Sequence, residues 1–115
     1  MIIEPYMDKH PSIHDSAWIA PDAVVVGDVG IGEESSFWFQ AVARGDREKV
    51  VIGARTNIQD GSMLHVSPGY PCIIGDRVTA GHRVVLHGCR IGDATVAGIG
   101  AIVLDGAQVG EGSII

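Results

Sequence analysis

Three histidines, His65, His82 and His87, fall within one apolar, strongly periodic stretch from Asn57 to Cys89, each beside a glycine or a β-branched residue. An imidazole is costly to bury in such a segment unless it has a partner. Three neutral imidazoles around one divalent ion, with a fourth position left for water, form a common catalytic zinc arrangement. That is the chemistry these residues suggest. His10 and His14 have no such setting and read as surface or satisfied residues. Cys72 and Cys89 lie in no C-x-x-C or zinc-knuckle spacing and read as small packing residues. A nucleophilic pair of Cys89 with His87 lacks a third, orienting group.

Holding three rings on one ion needs a repeating framework, and the chain repeats in sixes. From Ile13 it reads IHDSAW, IAPDAV, VVGDVG, IGEESS, FWFQAV and ARGDRE. After an insertion at Lys49 to Val51 it resumes with IGARTN and IQDGSM, and LHVSPGYPC takes a spliced loop. It continues IGDRVT, AGHRVV, LHGCR, IGDATV, AGIGAI, VLDGAQ and VGEGSI. The first position is nearly always aliphatic, and the second is often glycine, as at Gly32, Gly53, Gly75 and Gly92. The fifth is small or β-branched, as at Thr56, Ser62, Val78 and Val84.

This pattern predicts a short strand whose first residue points into a coil axis. A tight turn follows in which glycine or aspartate accepts positive φ, with a small residue packed at the corner. Three such faces make a triangular coil of about 18 residues, and stacking lays parallel strands about 4.8 Å apart. The fold class is all-β, a β-solenoid with residues 1–12 as an N-terminal lead-in and 13–115 as the solenoid domain. Asp28, Asp76, Asp93 and Asp105 flank corner glycines and read as turn residues. Trp18, Phe37, Trp38 and Phe39 read as filling for wider early coils or as a subunit contact.

The register then places the candidate ligands. With Leu64 opening one face and the loop from Val66 to Ile73 absorbed at a corner, Leu86 returns to that face one coil later. His65 and His87 therefore occupy equivalent positions one strand apart, and a single ion can bridge them. Arg44 falls in the same column one coil earlier. His82 belongs to a different edge of the prism, which it shares with Asp60, with Gln59 alongside. Two complementary half-sites on different edges call for a cyclic oligomer, and a threefold ring closes naturally for a triangular prism. In that ring Arg44 of one subunit pairs with Asp60 of the next.

The ordered set ARGD, TNIQDGSMLHV, TAGHRVVLHGC and GIGAIVLDGA resembles the gamma-class carbonic anhydrases and their relatives. These relatives include ferripyochelin-binding and hexapeptide acetyltransferase proteins, and the resemblance spans essentially the whole chain. It implies a left-handed parallel β-helix and a homotrimer. It also implies a metal held by His65 and His87 of one subunit and His82 of the next, with Zn2+ or alternatively Fe2+ or Co2+ as the ion. The family motifs place Arg44 and Asp46 near the pocket, and Asn57, Gln59 and Asp60 at the interface, where they orient the reacting water.

The implied reaction is reversible hydration of carbon dioxide to bicarbonate, the ion lowering the pKa of water to about 7. Two departures bear on activity. A well-known active member has a glutamate after RGD and an acidic loop after the first ligand, used for proton export; here Arg47 and SPGYPC stand in those places. Family members also add further coils and a C-terminal helix beyond the point where GEGSII falls, so the solenoid domain is expected to be truncated there. Two other readings compete: an acetyl-CoA-dependent hexapeptide acyltransferase, and a catalytically inactive metal-binding structural trimer. The first needs only one histidine base, whereas three in matched columns are present.

Composition narrows the remaining classes. The chain has 115 residues, of which 46% are hydrophobic, only 5% are aromatic and 16 are glycine. Small aliphatic residues suit narrow, repetitive packing. The formal net charge is −6 with scattered arginines and lysines, which argues against nucleic acid and an anionic membrane surface as partners. No apolar run reaches membrane-span length, and MIIEPYMDKH lacks the basic and apolar regions of a signal peptide. The expectation is a cytoplasmic protein.

Overall fold

The first hexad positions become three stacked columns of inward side chains. In the computed structural model, which describes residues 1–115, Val25, Ala43, Leu64, Leu86 and Val103 stack on a first face. Ile13, Ile31, Ile52, Ile74, Ile91 and Val109 stack on a second. Ile19, Phe37, Ile58, Ala80 and Ala97 form the third. All of these strand pairs are parallel. Together they make about five turns of a left-handed parallel β-helix, all-β and without a helix. No helix is therefore long and apolar enough to cross a membrane.

The three columns and their neighbours merge into one core of 24 buried residues. Each fully buried Leu, Ile or Val contributes about 1.5–3 kcal/mol relative to exposure. Of the four early aromatics only Phe37 enters this core. Trp18, Trp38 and Phe39 instead stack on one another at the surface, with ring centroids 4.8 to 6.3 Å apart. The stretch 1–12, expected as a lead-in, supplies strand Ile2–Glu4, which pairs in register with Val24 to Val26 as a further rung of the first face.

Two features of the corners explain the repeat more fully. Fifth-position hydroxyls tie coil to coil: Ser62 Oγ donates to the Gly81 carbonyl at 2.9 Å and accepts from the Val84 N–H at 3.2 Å. Thr56 does the same with Gly75 and Val78. Small polar residues can therefore be wholly buried there without an unsatisfied group.

The second-position glycines serve close approach, and the positive φ expected of them falls elsewhere. A Cβ on Gly53 would lie 2.5 Å from the Gly75 carbonyl oxygen and 2.3 Å from Asp76 Oδ1. The left-handed residues come two positions later, at Glu34, Arg55, Arg77 and Ala94.

The corners also differ in how strictly they keep the repeat. Steps from the second face to the third, and from the third to the first, keep one hexad throughout, as from Ile74 to Ala80 and from Ala80 to Leu86. The step from the first face to the second absorbs all the variation. It is short from Leu86 to Ile91. From Ile3 to Ile13 and from Leu64 to Ile74 it is lengthened by tight antiparallel turns closed by the Tyr6–Lys9 and Ser67–Tyr70 bridges. From Ala43 to Ile52 the single strand Val42–Ile52 runs round the corner.

Candidate functional site

His65 and His87 end the strands Met63–His65 and Val85–His87, which pair so that the two residues are direct partners. Their neighbours Leu64 and Leu86 point inward and are fully buried. Strand alternation therefore turns both imidazoles outward, at the corner where coil length varies. The rings lie with centroids 4.9 Å apart, and His65 Nδ1 faces His87 Nε2 at 3.0 Å.

Each ring's other nitrogen rests on a carboxylate. His65 Nε2 is 3.0 Å from Asp46 Oδ1, and His87 Nδ1 is 2.6 Å from Asp105 Oδ1. Arg44 completes the row, donating from Nη1 to Asp46 Oδ2 at 2.6 Å.

Each contact needs one hydrogen: one between His65 and Asp46, one between His87 and Asp105 and one between the facing ring nitrogens.

The carboxylates are tuned to stay ionised. Burial pushes the Asp46 carboxyl upward, but the Arg47 N–H, the bond from His65 and the nearby Arg44 together hold it below the usual range. Asp105 is lowered mainly by its bond from His87, then by Ser67.

His82 lies on the other edge. Its Nδ1 is 3.3 Å from Asp60 Oδ1, and both side chains are about half exposed, at 52% and 45%. Asn57 donates from Nδ2 to Thr79 Oγ1 at 3.0 Å, and Gln59 donates from Nε2 to Asn57 Oδ1 at 2.9 Å. Gln59 is thereby held with its amide hydrogens directed at Asn57 and its carbonyl oxygen available. A shallow pocket of about 270 Å³ joins Ser36, Trp38, Asn57, Gln59, Asp60 and His82.

One chain thus holds the anticipated residues as two groups. Arg44, Asp46, His65 and His87 form one, and Asn57, Gln59, Asp60 and His82 form the other. No group of three metal donors converges within a single chain.

The first group fits a metal as a two-donor half-site. Its facing nitrogens are near the roughly 3.3 Å that two ligands at 2.0–2.1 Å on a tetrahedral ion require. Exchanging the shared proton for a metal ion leaves both histidine–carboxylate bonds in place, the arrangement typical of ligating histidines. Asp105 does lie in a turn, as the hexad reading has it, closed by the Ala107 N–H donating to the Leu104 carbonyl at 3.1 Å, and it bonds His87 as well. Asp76 and Asp93 likewise serve corners, accepting from the N–H groups of Ala54 and Asp76. A signal for Asp105 existed: its carbonyl-side neighbour Gly106 bonds back to Gly88, so the register sets Asp105 beside the residue after His87.

Known proteins share this arrangement of coils and motifs. No protein-family model matches the chain. It is 51% identical over 111 residues to a carbonic anhydrase of Geobacillus kaustophilus, covering 96% of this chain and 61% of that protein. It is 49% identical over 108 residues to the mitochondrial gamma carbonic anhydrase 1 of Arabidopsis thaliana, covering 89% of this chain and 39% of that protein. The chain therefore spans only part of the curated relatives' length. The crystal structure of a hexapeptide transferase family protein from Anaplasma phagocytophilum superposes with a TM-score of 0.85 at 37% identity, covering 99% of this chain and 70% of that one. Coil geometry, histidine register and these likenesses together place the chain in the gamma carbonic anhydrase-like hexapeptide-repeat family.

Proposed function

We propose that this protein is a metal-dependent, gamma-type carbonic anhydrase-like protein that hydrates carbon dioxide reversibly to bicarbonate at a site shared between subunits of a homotrimer. The observation that carries the reading is the register match of His65 and His87, with facing nitrogens 3.0 Å apart and a carboxylate behind each ring. His65 and His87 of one subunit and the partner subunit's His82 hold the ion, with Zn2+ preferred and Fe2+ or Co2+ as alternatives. The bound ion supplies Lewis acidity that makes water a nucleophile near neutral pH.

The chain's own residues do the rest. Asn57 fixes the Gln59 amide so that its carbonyl oxygen accepts a hydrogen bond from the attacking water and aims it. Arg44 and Asp46 line the pocket; Asp46 orients His65, and Arg44 reaches Asp60 of the adjoining subunit. The vertical order of the two edges supports this docking. Backbone bonds stack Phe39, Asp60, His82 and Ile99 down one edge. Arg44, His65, His87 and Leu104 follow down the other. Rung for rung, His87 faces His82 and Leu104 faces Ile99 beneath the histidines, while Arg44 stands one rung from Asp60, within the reach of its long side chain. Proton export lacks the acidic loop, so turnover is low.

The test is metal content and solution mass, for the wild type and for His82→Ala. About one ion per subunit in a trimer, lost in the variant, is the expected result, and carbon dioxide hydration is then assayed. Metal retained without His82 would remove the shared site. Turnover of acetyl-CoA would favour the acyltransferase reading, to which the Anaplasma structure lends support. Bound metal without any hydration would leave a structural trimer.

A further inference from the structure

Asp105 lies on the coil after His87, at a place built to admit it. Gly88 adopts a φ of +58°, and a Cβ there would lie 2.3 Å from Asp105 Oδ1 and 2.9 Å from Tyr70 Cβ. Glycine opens the gap through which the carboxylate reaches His87 Nδ1 at 2.6 Å. The spliced loop closes over the same gap through Tyr70 and is itself anchored, by the Ser67–Tyr70 bridge and by the Gly69 N–H donating to Glu48 Oε2 at 3.1 Å.

We propose that Asp105 is the positioning residue that holds His87 in the tautomer with its proton on Nδ1, so that Nε2 is the nitrogen offered to the metal. This rests on the reading of His65 and His87 as ligands. Without Asp105 the ring's remaining partner is His65 Nδ1, 3.0 Å from Nε2, and a proton placed on Nε2 to make that bond leaves no lone pair there for a metal.

The experiment has two arms. Zinc affinity is measured by competition with a chromophoric chelator for the wild type, Asp105→Ala and Asp105→Asn. The site of the His87 proton is read in metal-free protein by long-range proton–nitrogen correlation. Asp105→Ala is expected to weaken zinc binding by about 10–100-fold with solution mass and melting temperature unchanged. Asp105→Asn, which keeps a neutral acceptor, recovers part of the loss. In Asp105→Ala the His87 proton leaves Nδ1. Wild-type affinity together with an unmoved proton in Asp105→Ala would overturn the proposal. If the wild type itself takes no zinc, the ligand reading fails separately, and the nitrogen spectrum alone then supports or overturns the positioning role.

Discussion

The two edges that carry the histidines are built to different standards. On the first, His65 and His87 stand in a row running from Arg44 through Asp46 to Asp105, with side-chain exposures of 18% and 28% for the two rings. On the second, His82 has one contact at 3.3 Å and is 52% exposed. The first edge is organised before anything binds, because every ring nitrogen already has a partner. The second is the more open of the two. In the proposed shared site two preset donors would define the position, and the third would adjust as subunits meet.

The comparison can be broken by loosening the ordered edge from within. Leu64→Ala removes the inward neighbour that seats His65. It is expected to cost about 2–5 kcal/mol of stability, seen as a lowered melting temperature in metal-free protein. An equal melting temperature would show that the row is held by its polar contacts alone. The open edge should respond differently. Ile99→Asp and Asp60→Ala, both at exposed positions, should alter subunit stability by only about 0.5 kcal/mol, yet they should shift sedimentation from trimer toward monomer and lower metal content together. A monomer that keeps its full metal would sink the interface.

The smallest effect sharpens the electrostatic side. Asp46 is held below its ordinary carboxylate range. It therefore adds stability above the unfolded value of about 3.9 and loses it as pH falls through the lowered folded value. Asp46→Asn should melt lower than the wild type near neutrality, by an amount within the ~0–1 kcal/mol of a partly screened pair. That gap should close on acidification below about pH 4. A gap that widens in acid would mean that Asp46 stabilises through its shape.

Much of this was readable before any coordinates, and the reason is physical. A solenoid converts sequence register directly into spatial columns, so Leu64 and Leu86 had to stack, and His65 and His87 with them. Asp60 and His82 shared an edge by the same logic. What escaped the reading were contacts that need side-chain reach in addition to register. Asp105 looked like any corner aspartate until Gly88 was seen to make room for it. The positive φ values at Glu34, Arg55 and Arg77 were hidden because those side chains show no preference for such a conformation. Trp18, Trp38 and Phe39 read as filling for wider coils or as a subunit contact; the hexad leaves them on outward positions, and they do not fill the coils.

The corner between the first and second faces has one more consequence. Because the coils re-enter register after it whatever its length, the spacing of His65 and His87 is independent of what is spliced there. The molecule thus separates a fixed yardstick from an exchangeable rim, and the exchangeable part lies beside the two histidines. New loops can be trialled at that rim, by mutation or by design, to change what reaches the proposed metal seat while the seat stays where it is.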